Sequence, residues 1–322
     1  MPFEDIPSTP AADALVDRAF SRAARAGGAK TGIDAQQSML NTATNILADN
    51  LEHVSRSWPD LDAIHPFHRH LAEAVVDVGT LRKDLSSVNW AASQVRSIGR
   101  EHRQRIRGDA ELAKRQRKQA FARMADVLDE VADSLTRIET ARRSLGRLPG
   151  IDPEQPTIVI AGFPNVGKST FLNAVTRASV KTASYPFTTT QIDIGHVTER
   201  HITYQLIDTP GLLDRPLDER NDIERQAIAA LEHLADVVLV FIDASETCGY
   251  PIEDQLALRD GLQDTFSRRG IPVISVCSKS DISTDIDADF YLSVTEDDGI
   301  EAVLSSAIDA IGVETTLPFE RD

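Results

Sequence analysis

The sequence predicts an α/β domain built on a mostly parallel six-stranded sheet, preceded by an all-α helical bundle. Two patterns predict this division. In residues 1–150, apolar side chains recur at spacings of three and four, as on helices that bury one face. In residues 151–322, short apolar runs alternate with helical stretches, which is the pattern of βαβ units. A length of 322 residues suits two such domains.

Four long helices are expected in the bundle. The first begins at Thr9-Pro10, with Thr9 as its N-cap, and stops at Gly27-Gly28, with a second helix following. Apolar stripes then predict a third helix from about residue 70 to 95 and a fourth from about residue 109 to 148. Such helices favour an antiparallel bundle. Three prolines in residues 148–156 predict a stiff linker to the second domain.

The second domain is predicted to contain six strands and four helices. The predicted strands are residues 157–161, 192–197, 202–208, 237–243, 272–278 and 290–294. The predicted helices lie near residues 168–176, 218–234, 251–268 and 299–311. Ligands of such sheets bind at the carboxyl ends of the strands, so polar motifs at those ends are the candidates for function.

The first of these motifs follows the first predicted strand. Residues 162–169, Gly-Phe-Pro-Asn-Val-Gly-Lys-Ser, fit the pattern G-x-x-x-x-G-K-[ST] and open a helical stretch. Backbone N–H groups of such a turn, with the positive end of the helix, hold phosphate oxygens. Lys168 can reach the β- and γ-phosphates, and the Ser169 hydroxyl can bind magnesium. The residues expected to contact a nucleotide here are Pro164, Asn165, Val166, Gly167, Lys168, Ser169 and Thr170.

Two further motifs suit the magnesium end of such a site. In Asp208-Thr209-Pro210-Gly211, the Asp208 carboxylate can hold magnesium through water, and the Gly211 N–H can sense a γ-phosphate. In residues 185–190, Tyr-Pro-Phe-Thr-Thr-Thr, a threonine hydroxyl can close over the metal. Both motifs lie beside predicted strands, as a shared site requires.

A fourth motif, Ser278-Lys279-Ser280-Asp281, selects the base. The Asp281 carboxylate can accept hydrogen bonds from N1–H and N2–H of guanine, a donor pair that adenine lacks. The aliphatic stem of Lys279 can cover the base, and the backbone of Ser293 and Val294 can reach its O6. Together the four motifs predict binding of GTP and GDP with Mg²⁺.

The net charge of −16 is unevenly spread. Residues 1–150 hold 22 Lys+Arg against 20 Asp+Glu, whereas residues 151–322 hold 12 against 30. This acidic composition is typical of proteins adapted to concentrated salt. Residues 96–118 form a basic run. Such a run usually marks only a solvated helix face, but because the rest of this chain is poor in basic residues, here it favours an RNA partner. The candidate RNA-binding residues are Arg96, Arg100, Arg103, Arg105, Arg107, Lys114, Arg115, Arg117 and Lys118.

Several classes of protein are disfavoured. The sequence holds no apolar run of about 18 residues, and residues 1–5 do not resemble a secretory signal. Cys248 and Cys277 are too few for a disulfide framework. Histidines at 65, 68 and 70 lack accompanying cysteines, so we expect surface or packing roles rather than zinc. We therefore expect a cytoplasmic monomer with no membrane partner.

The motifs resemble those of a known family. Gly-Phe-Pro-Asn-Val-Gly-Lys-Ser, Tyr-Pro-Phe-Thr-Thr and Asp-Thr-Pro-Gly-Leu-Leu-Asp are similar to the Obg class of translation-factor-related GTPases. Residues 24–28, 51–60 and 90–91 resemble the bundle of the nucleolar GTP-binding protein 1 family, archaeal form. The resemblance implies a P-loop GTPase that assists assembly of the large ribosomal subunit, with rRNA as partner. It also implies Thr189 as the magnesium-sensing threonine.

Two positions bear on affinity and rate. The family usually has Asn where this chain has Ser278, so we expect guanine selectivity through Asp281 with weaker binding, and tighter GDP binding in Ser278→Asn. Leu212 occupies the position of the water-orienting glutamine of Ras-like enzymes, so intrinsic hydrolysis should be slow.

A separate source of charge is then needed for hydrolysis. Asn165 resembles the asparagine that holds a monovalent cation in potassium-activated GTPases, which makes K⁺ the first candidate. Arg215 or a ribosomal partner is the second. The residues expected to act in catalysis are Lys168, Thr189, Gly211 and Asn165.

Two other functions stay open on the sequence. One is an Obg-like translation or stress regulator whose effector is a protein. The other is a GTP-binding scaffold with little turnover. The basic run distinguishes them from an assembly factor, because only the assembly factor needs those residues to bind large subunits.

Overall fold

A computed structural model describes residues 2–148, 150–176, 180–184, 191–209, 213, 228 and 230–312. The chain divides into two compact units. The helical unit comprises residues 2–64 and 75–147, and the α/β unit comprises residues 65–74 and everything from residue 148 onward. The predicted fold class, a helical bundle followed by a mostly parallel α/β domain, is confirmed.

The helical unit is built around its second helix. Its helices are α1 (Ala12–Gly28), α2 (Gly32–Arg56), α4 (Val78–Arg105), α5 (Ala110–Glu130) and α6 (Ala132–Leu145). Helix α2 packs against α1, α4 and α5, and its Leu40, Leu47 and Leu51 side chains are fully buried. Helix α4 approaches α2 closely because it has glycine at position 99, where a Cβ would lie 2.5 Å from the Thr44 side chain.

The predicted start of the first helix is wrong, whereas its predicted end is confirmed. Helix α1 ends at Gly28, and its Gly27 lies against Met39 of α2 with no room for a side chain. Thr9 is not its cap: the N-cap is Ala11, and the Thr9 N–H donates to Glu139 Oε2 at 2.9 Å.

Two predicted long helices are each two helices. The third divides into α3 (Pro66–Val75) and α4, because the Asp77 carboxylate caps α4 by accepting from the Thr80 N–H at 2.9 Å. The fourth divides into α5 and α6 at Val131, where the backbone leaves helical geometry (φ −107°, ψ 9°). The apolar stripe continues across each break, so periodicity alone does not reveal it.

Helix α3 belongs to the α/β unit, although its sequence neighbours belong to the helical unit. Phe67 and Leu71 are buried in the core of the α/β unit. His68 is buried, and the His70 ring stacks on that of His233 with centroids 5.0 Å apart. The structure therefore differs from the predicted domain boundaries of 1–150 and 151–322 in placing residues 65–74 with the second unit.

Within the described part of the chain, the sheet has seven strands rather than six. They are β1 (Thr157–Ala161), β2 (Lys181–Ser184), β3 (Gln191–Glu199), β4 (Ile202–Asp208), β5 (Val237–Asp243), β6 (Val273–Ser278) and β7 (Phe290–Tyr291). Their order is β2-β3-β4-β1-β5-β6-β7, and only the β2–β3 and β3–β4 pairs are antiparallel. Strand β2 escaped prediction because it is a short edge segment with little apolar character.

Three further helices complete the α/β unit as described: α7 (Lys168–Val175), α8 (Ile252–Ser267) and α9 (Ile300–Ile311). Among the described residues, no helix is both long and apolar enough to cross a membrane. The parallel register aligns Ile160 with Asp208 and Asp243 with Ser278. The carboxyl ends of β1, β4, β5 and β6 therefore meet at one edge of the sheet.

A buried carboxylate joins α4 to α6 in the helical unit. Asp84 accepts from Ser134 Oγ at 2.8 Å and from the Arg137 guanidinium at 2.8 and 2.6 Å. Burial alone would raise the pKa of Asp84, but the hydrogen bonds from Arg137 and Ser134 hold it below its ordinary value. The carboxylate is therefore ionised and stabilising at neutral pH.

We predict that Asp84→Ala destabilises the helical unit by about 1–3 kcal/mol at pH 7, because it leaves the buried Ser134 hydroxyl without an acceptor and removes the ion pair with the half-exposed Arg137. Urea unfolding followed by tryptophan fluorescence measures this unit selectively, since Trp58 and Trp90 both lie in it. The exposed Asp126→Ala is the matched control and should cost less than about 0.5 kcal/mol. Because the folded pKa is depressed, the difference should shrink as the pH falls below about 3.9. Equal losses in the two variants would contradict the assignment.

Candidate nucleotide-binding site

The phosphate loop connects β1 to α7 through three left-handed backbone positions. Gly162 has φ 133°, and the Phe241 carbonyl of β5 occupies the space that a Cβ would need. Asn165 has φ 63°, a conformation that asparagine tolerates better than most residues. Gly167, with φ 98°, is the N-cap of α7. The loop is thus folded so that it precedes a helix N-terminus directly, as phosphate binding requires.

Lys168 is buried within this loop. Its Nζ donates to the carbonyls of Gly162 at 2.7 Å and Phe163 at 2.8 Å. These bonds hold the ammonium inside the turn that is predicted to surround the phosphates. Asn165 is exposed, and its side chain forms no hydrogen bond with the described residues. Its amide is therefore available to a ligand at the mouth of the loop.

The predicted magnesium residues Ser169 and Asp208 are in contact. The Ser169 hydroxyl donates to Asp208 Oδ2 at 2.5 Å. Asp208 is completely buried, and within the described part of the chain its Oδ1 has no hydrogen-bond partner. Burial raises the pKa of this carboxyl, and the Lys168 charge partly offsets that effect.

This arrangement fits Mg²⁺. A buried carboxylate with an unsatisfied oxygen gains most from a cation, and hydroxyl and carboxylate oxygens are the ligands magnesium prefers. Ser169 and Asp208 are the described residues that would hold the ion, directly or through water. Bound there, Mg²⁺ would neutralise charge on the β- and γ-phosphates.

The base-selecting residues begin with Ser278, the last residue of β6, and continue into the loop after it. Ser278 is buried, and its Oγ donates to the Ile242 carbonyl at 3.2 Å. A Cβ on Gly167 would lie 4.0 Å from the Ser278 Cβ, so the base loop and the phosphate loop adjoin. Asp281 is exposed, and no hydrogen bond among the described residues uses its carboxylate. A base entering beside Lys279 can therefore reach a free acceptor.

Ser293 takes part in a turn after the last strand. Its N–H donates to the Asp298 carbonyl at 3.0 Å, and its Oγ accepts from the Glu296 N–H at 3.2 Å. Val294, which follows it, is half-buried. Contact of the Ser293 and Val294 backbone with the base stays a prediction.

Several predicted residues lie outside the described residues. They are Thr189 with the rest of 185–190, Gly211, Leu212 and Arg215.

The nine basic residues between 96 and 118 do not behave alike. Arg96 forms ion pairs with Glu52 at 2.6 Å and Asp49 at 2.7 Å, and Arg117 bonds Gln36 and lies over the Phe121 ring. These two therefore have partners within the helical unit, and their contact with RNA stays a prediction. Arg105 pairs with Glu101 and Lys114 with Glu111. The remaining candidates are exposed and form no ion pair with the described residues: Arg100, Arg103, Arg107, Arg115 and Lys118.

Sequence reasoning missed one residue of this site. Asp243, at the end of β5, is fully buried and accepts a hydrogen bond from Lys279 Nζ at 2.7 Å. Its position at a strand end was the available signal. A carboxylate that closes an otherwise apolar strand at the ligand edge of a parallel sheet is a candidate for function.

Fold and site together define a P-loop GTPase class of protein, and comparison with known proteins agrees. Residues 3–152 match the family described as NOG1 N-terminal helical domain, and residues 157–279 match the family described as 50S ribosome-binding GTPase. The chain belongs to the nucleolar GTP-binding protein 1 family.

The chain is similar to several individual proteins. Nucleolar GTP-binding protein 1 of Drosophila melanogaster is 39% identical over 272 residues, which are 82% of this chain and 41% of that protein. An uncharacterized protein of Methanocaldococcus jannaschii is 39% identical over 77% of this chain and 69% of its own length. A solved Plasmodium falciparum structure, described as a nucleolar GTP-binding protein 1, is 34% identical over 51% of this chain and 90% of that chain, with a TM-score of 0.46. The chain spans half or less of the length of the Drosophila relative and of its Eremothecium gossypii counterpart.

We predict that Ser169→Ala weakens GTP binding in magnesium by at least about tenfold, because it removes one metal ligand. In EDTA, the variant and the wild type should bind alike. Fluorescent-nucleotide titration measures both affinities, and Ser305→Ala, which deletes an exposed hydroxyl from α9, is the control. A Ser169→Ala protein that retains the full magnesium dependence would exclude Ser169 as a ligand.

Proposed function

We propose that the chain binds GTP, hydrolyses it to GDP, and acts as a switch in assembly of the large ribosomal subunit. One observation carries the nucleotide part of this proposal. The phosphate loop, the Ser169–Asp208 pair and the base loop meet at one edge of the sheet. The relatives named nucleolar GTP-binding protein 1, and the family described as a 50S ribosome-binding GTPase, support the assembly role. A cytoplasmic, monomeric form accords with this proposal.

The output of the switch is proposed to lie on the helical unit, in its exposed basic residues. Arg100 and Arg103 lie near the end of α4, and Arg107 follows that helix. Arg115 and Lys118 lie one turn apart on α5. Exposed arginines without acidic partners keep their donors for phosphate oxygens and for stacking on bases. We therefore assign rRNA contact to these five residues rather than to all nine.

We predict that Arg100→Glu/Arg103→Glu abolishes co-sedimentation with large ribosomal subunits, because two charges are reversed at the proposed phosphate contacts and the net charge there changes by four units. The matched control is Lys83→Glu/Arg147→Glu, which makes the same charge change at exposed positions of the helical unit. The control should sediment like the wild type. Loss in both variants would indicate non-specific attraction, and loss in neither would favour a scaffold or a protein effector.

Hydrolysis in this proposal depends on a monovalent cation. Leu212 cannot orient water by hydrogen bonding, so another group must stabilise the developing charge. Asn165 presents an exposed amide from a left-handed position of the phosphate loop, where a side-chain oxygen can hold K⁺ against the phosphates. Arg215 or a ribosomal partner is the alternative source of charge.

We predict that turnover in potassium exceeds turnover in sodium by about tenfold at equal ionic strength, a typical effect of one well-placed charge. Asn165→Gly should remove the difference, because glycine keeps the left-handed backbone and deletes the amide. Phosphate release under multiple-turnover conditions measures both rates, with GDP affinity in each salt as the control. Equal rates in the wild type would exclude potassium as the activator.

The proposed cycle depends on whether the γ-phosphate is present. Residues near 181–191 and 212–221 are the segments expected to be held by the γ-phosphate and magnesium and released on hydrolysis. The affinity of the helical unit for rRNA then differs between the GTP-bound and GDP-bound states. The two units are covalently interleaved, since residues 65–74 of the α/β unit interrupt the sequence of the helical unit.

A further inference from the structure

The Asp243 carboxylate is the acceptor of five hydrogen bonds from the described residues. Its carboxylate accepts from the Ser245 N–H at 3.0 Å, Ser245 Oγ at 2.5 Å, Thr247 Oγ1 at 2.9 Å, the Cys248 N–H at 2.8 Å and Lys279 Nζ at 2.7 Å. Four of these donors come from the loop that follows β5. The fifth comes from the base loop after β6. Asp243 thus fixes two neighbouring strand ends to each other.

The Lys279 ammonium is held by the end of β5 and by the loop that follows it. Its Nζ donates to Asp243 and also to Thr247 Oγ1 at 2.9 Å. Its own backbone is left-handed, with φ 51°. A side chain anchored at its tip and constrained at its backbone has few rotamers left, so its aliphatic stem holds one position. That stem is the part predicted to cover the base.

The Lys279–Asp243 ion pair adds to a weaker link from Ser278. The Ser278 hydroxyl donates to the Ile242 carbonyl of β5, and the described residues include no bond from it to the phosphate loop. The ion pair is therefore the charged side-chain link that fixes the base loop to the end of β5.

The carboxylate is ionised at any ordinary pH. Burial acts to raise the pKa of Asp243, but hydrogen bonds from Lys279, Ser245 and Thr247 outweigh it and lower the pKa to about 2. The ion pair is then permanent under physiological conditions, and its strength comes from a buried acceptor with charged and neutral donors.

We propose that Asp243, assisted by Thr247, is a positioning residue for guanine-nucleotide binding that acts by holding Lys279 across the base. This inference rests on the proposed GTP site, and it assigns Asp243 no contact with the nucleotide. A positioning residue changes affinity only through the residue it positions, and that property separates it from a residue needed for stability alone.

The test is a double-mutant cycle on GDP affinity. Asp243→Asn should weaken GDP binding by about tenfold, the effect of one lost charge-assisted hydrogen bond. In a Lys279→Met background the same change should add less than about twofold, because the side chain it held has lost its ammonium. Asp236→Asn is the control: Asp236 precedes β5 at its other end and accepts from the Thr157 N–H. It should alter thermal stability without altering GDP affinity.

Thr247→Val is the second variant, because it removes the other acceptor for Lys279 at an exposed position and leaves the Asp243 carboxylate in place with four of its five donors. About a threefold loss is expected, again only when Lys279 is present. This variant decides the question if Asp243→Asn does not fold. Unchanged GDP affinity in both variants, or equal losses with and without Lys279, would overturn the inference. A wild-type chain that fails to bind GDP would instead overturn the proposed function.

Discussion

The site depends on one close approach of backbone to backbone. The phosphate loop leaves β1 in a left-handed turn at Gly162, against the Phe241 carbonyl of β5, where a side chain would collide. This contact fixes the start of α7, and α7 then presents Lys168 and Ser169 to the sheet edge. From there the Ser169–Asp208 bond reaches β4, and Gly167 adjoins Ser278 after β6. Substitution at Gly162 would therefore disturb every part of the site together.

Charge is distributed around this edge in a consistent way. The buried carboxylates of Asp208 and Asp243 end β4 and β5, the two strands that flank β1, and each has a cationic counterpart in Lys168 and Lys279. Asp243 is satisfied by Lys279, whereas Asp208 keeps an oxygen without a partner among the described residues. Asp243 thus holds the base loop in place, whereas Asp208 retains an oxygen that can bind magnesium.

The sequence predicted what depends on local chemistry. The phosphate loop, Asp208 and the base loop are short motifs whose function follows from residue type and spacing, and the register of parallel strands brings them together. What it could not predict depends on distant partners. Asp77 ends one helical stripe and α3 packs into the other unit, although the apolar pattern is continuous there. The sequence did not show that Arg96 and Arg117 have partners, because most of these partners are distant in the chain. Arg96 pairs with Glu52, whereas Arg117 bonds Gln36 and also lies over the Phe121 ring of its own helix.

The central claim is that the state of the nucleotide controls attachment to the large ribosomal subunit. Sedimentation of the chain with large subunits, in a non-hydrolysable GTP analogue and in GDP, tests it most directly. We expect retention with the analogue and release with GDP, with affinities that differ by about tenfold or more. Equal sedimentation in the two states would contradict the claim, even if GTP is bound and hydrolysed.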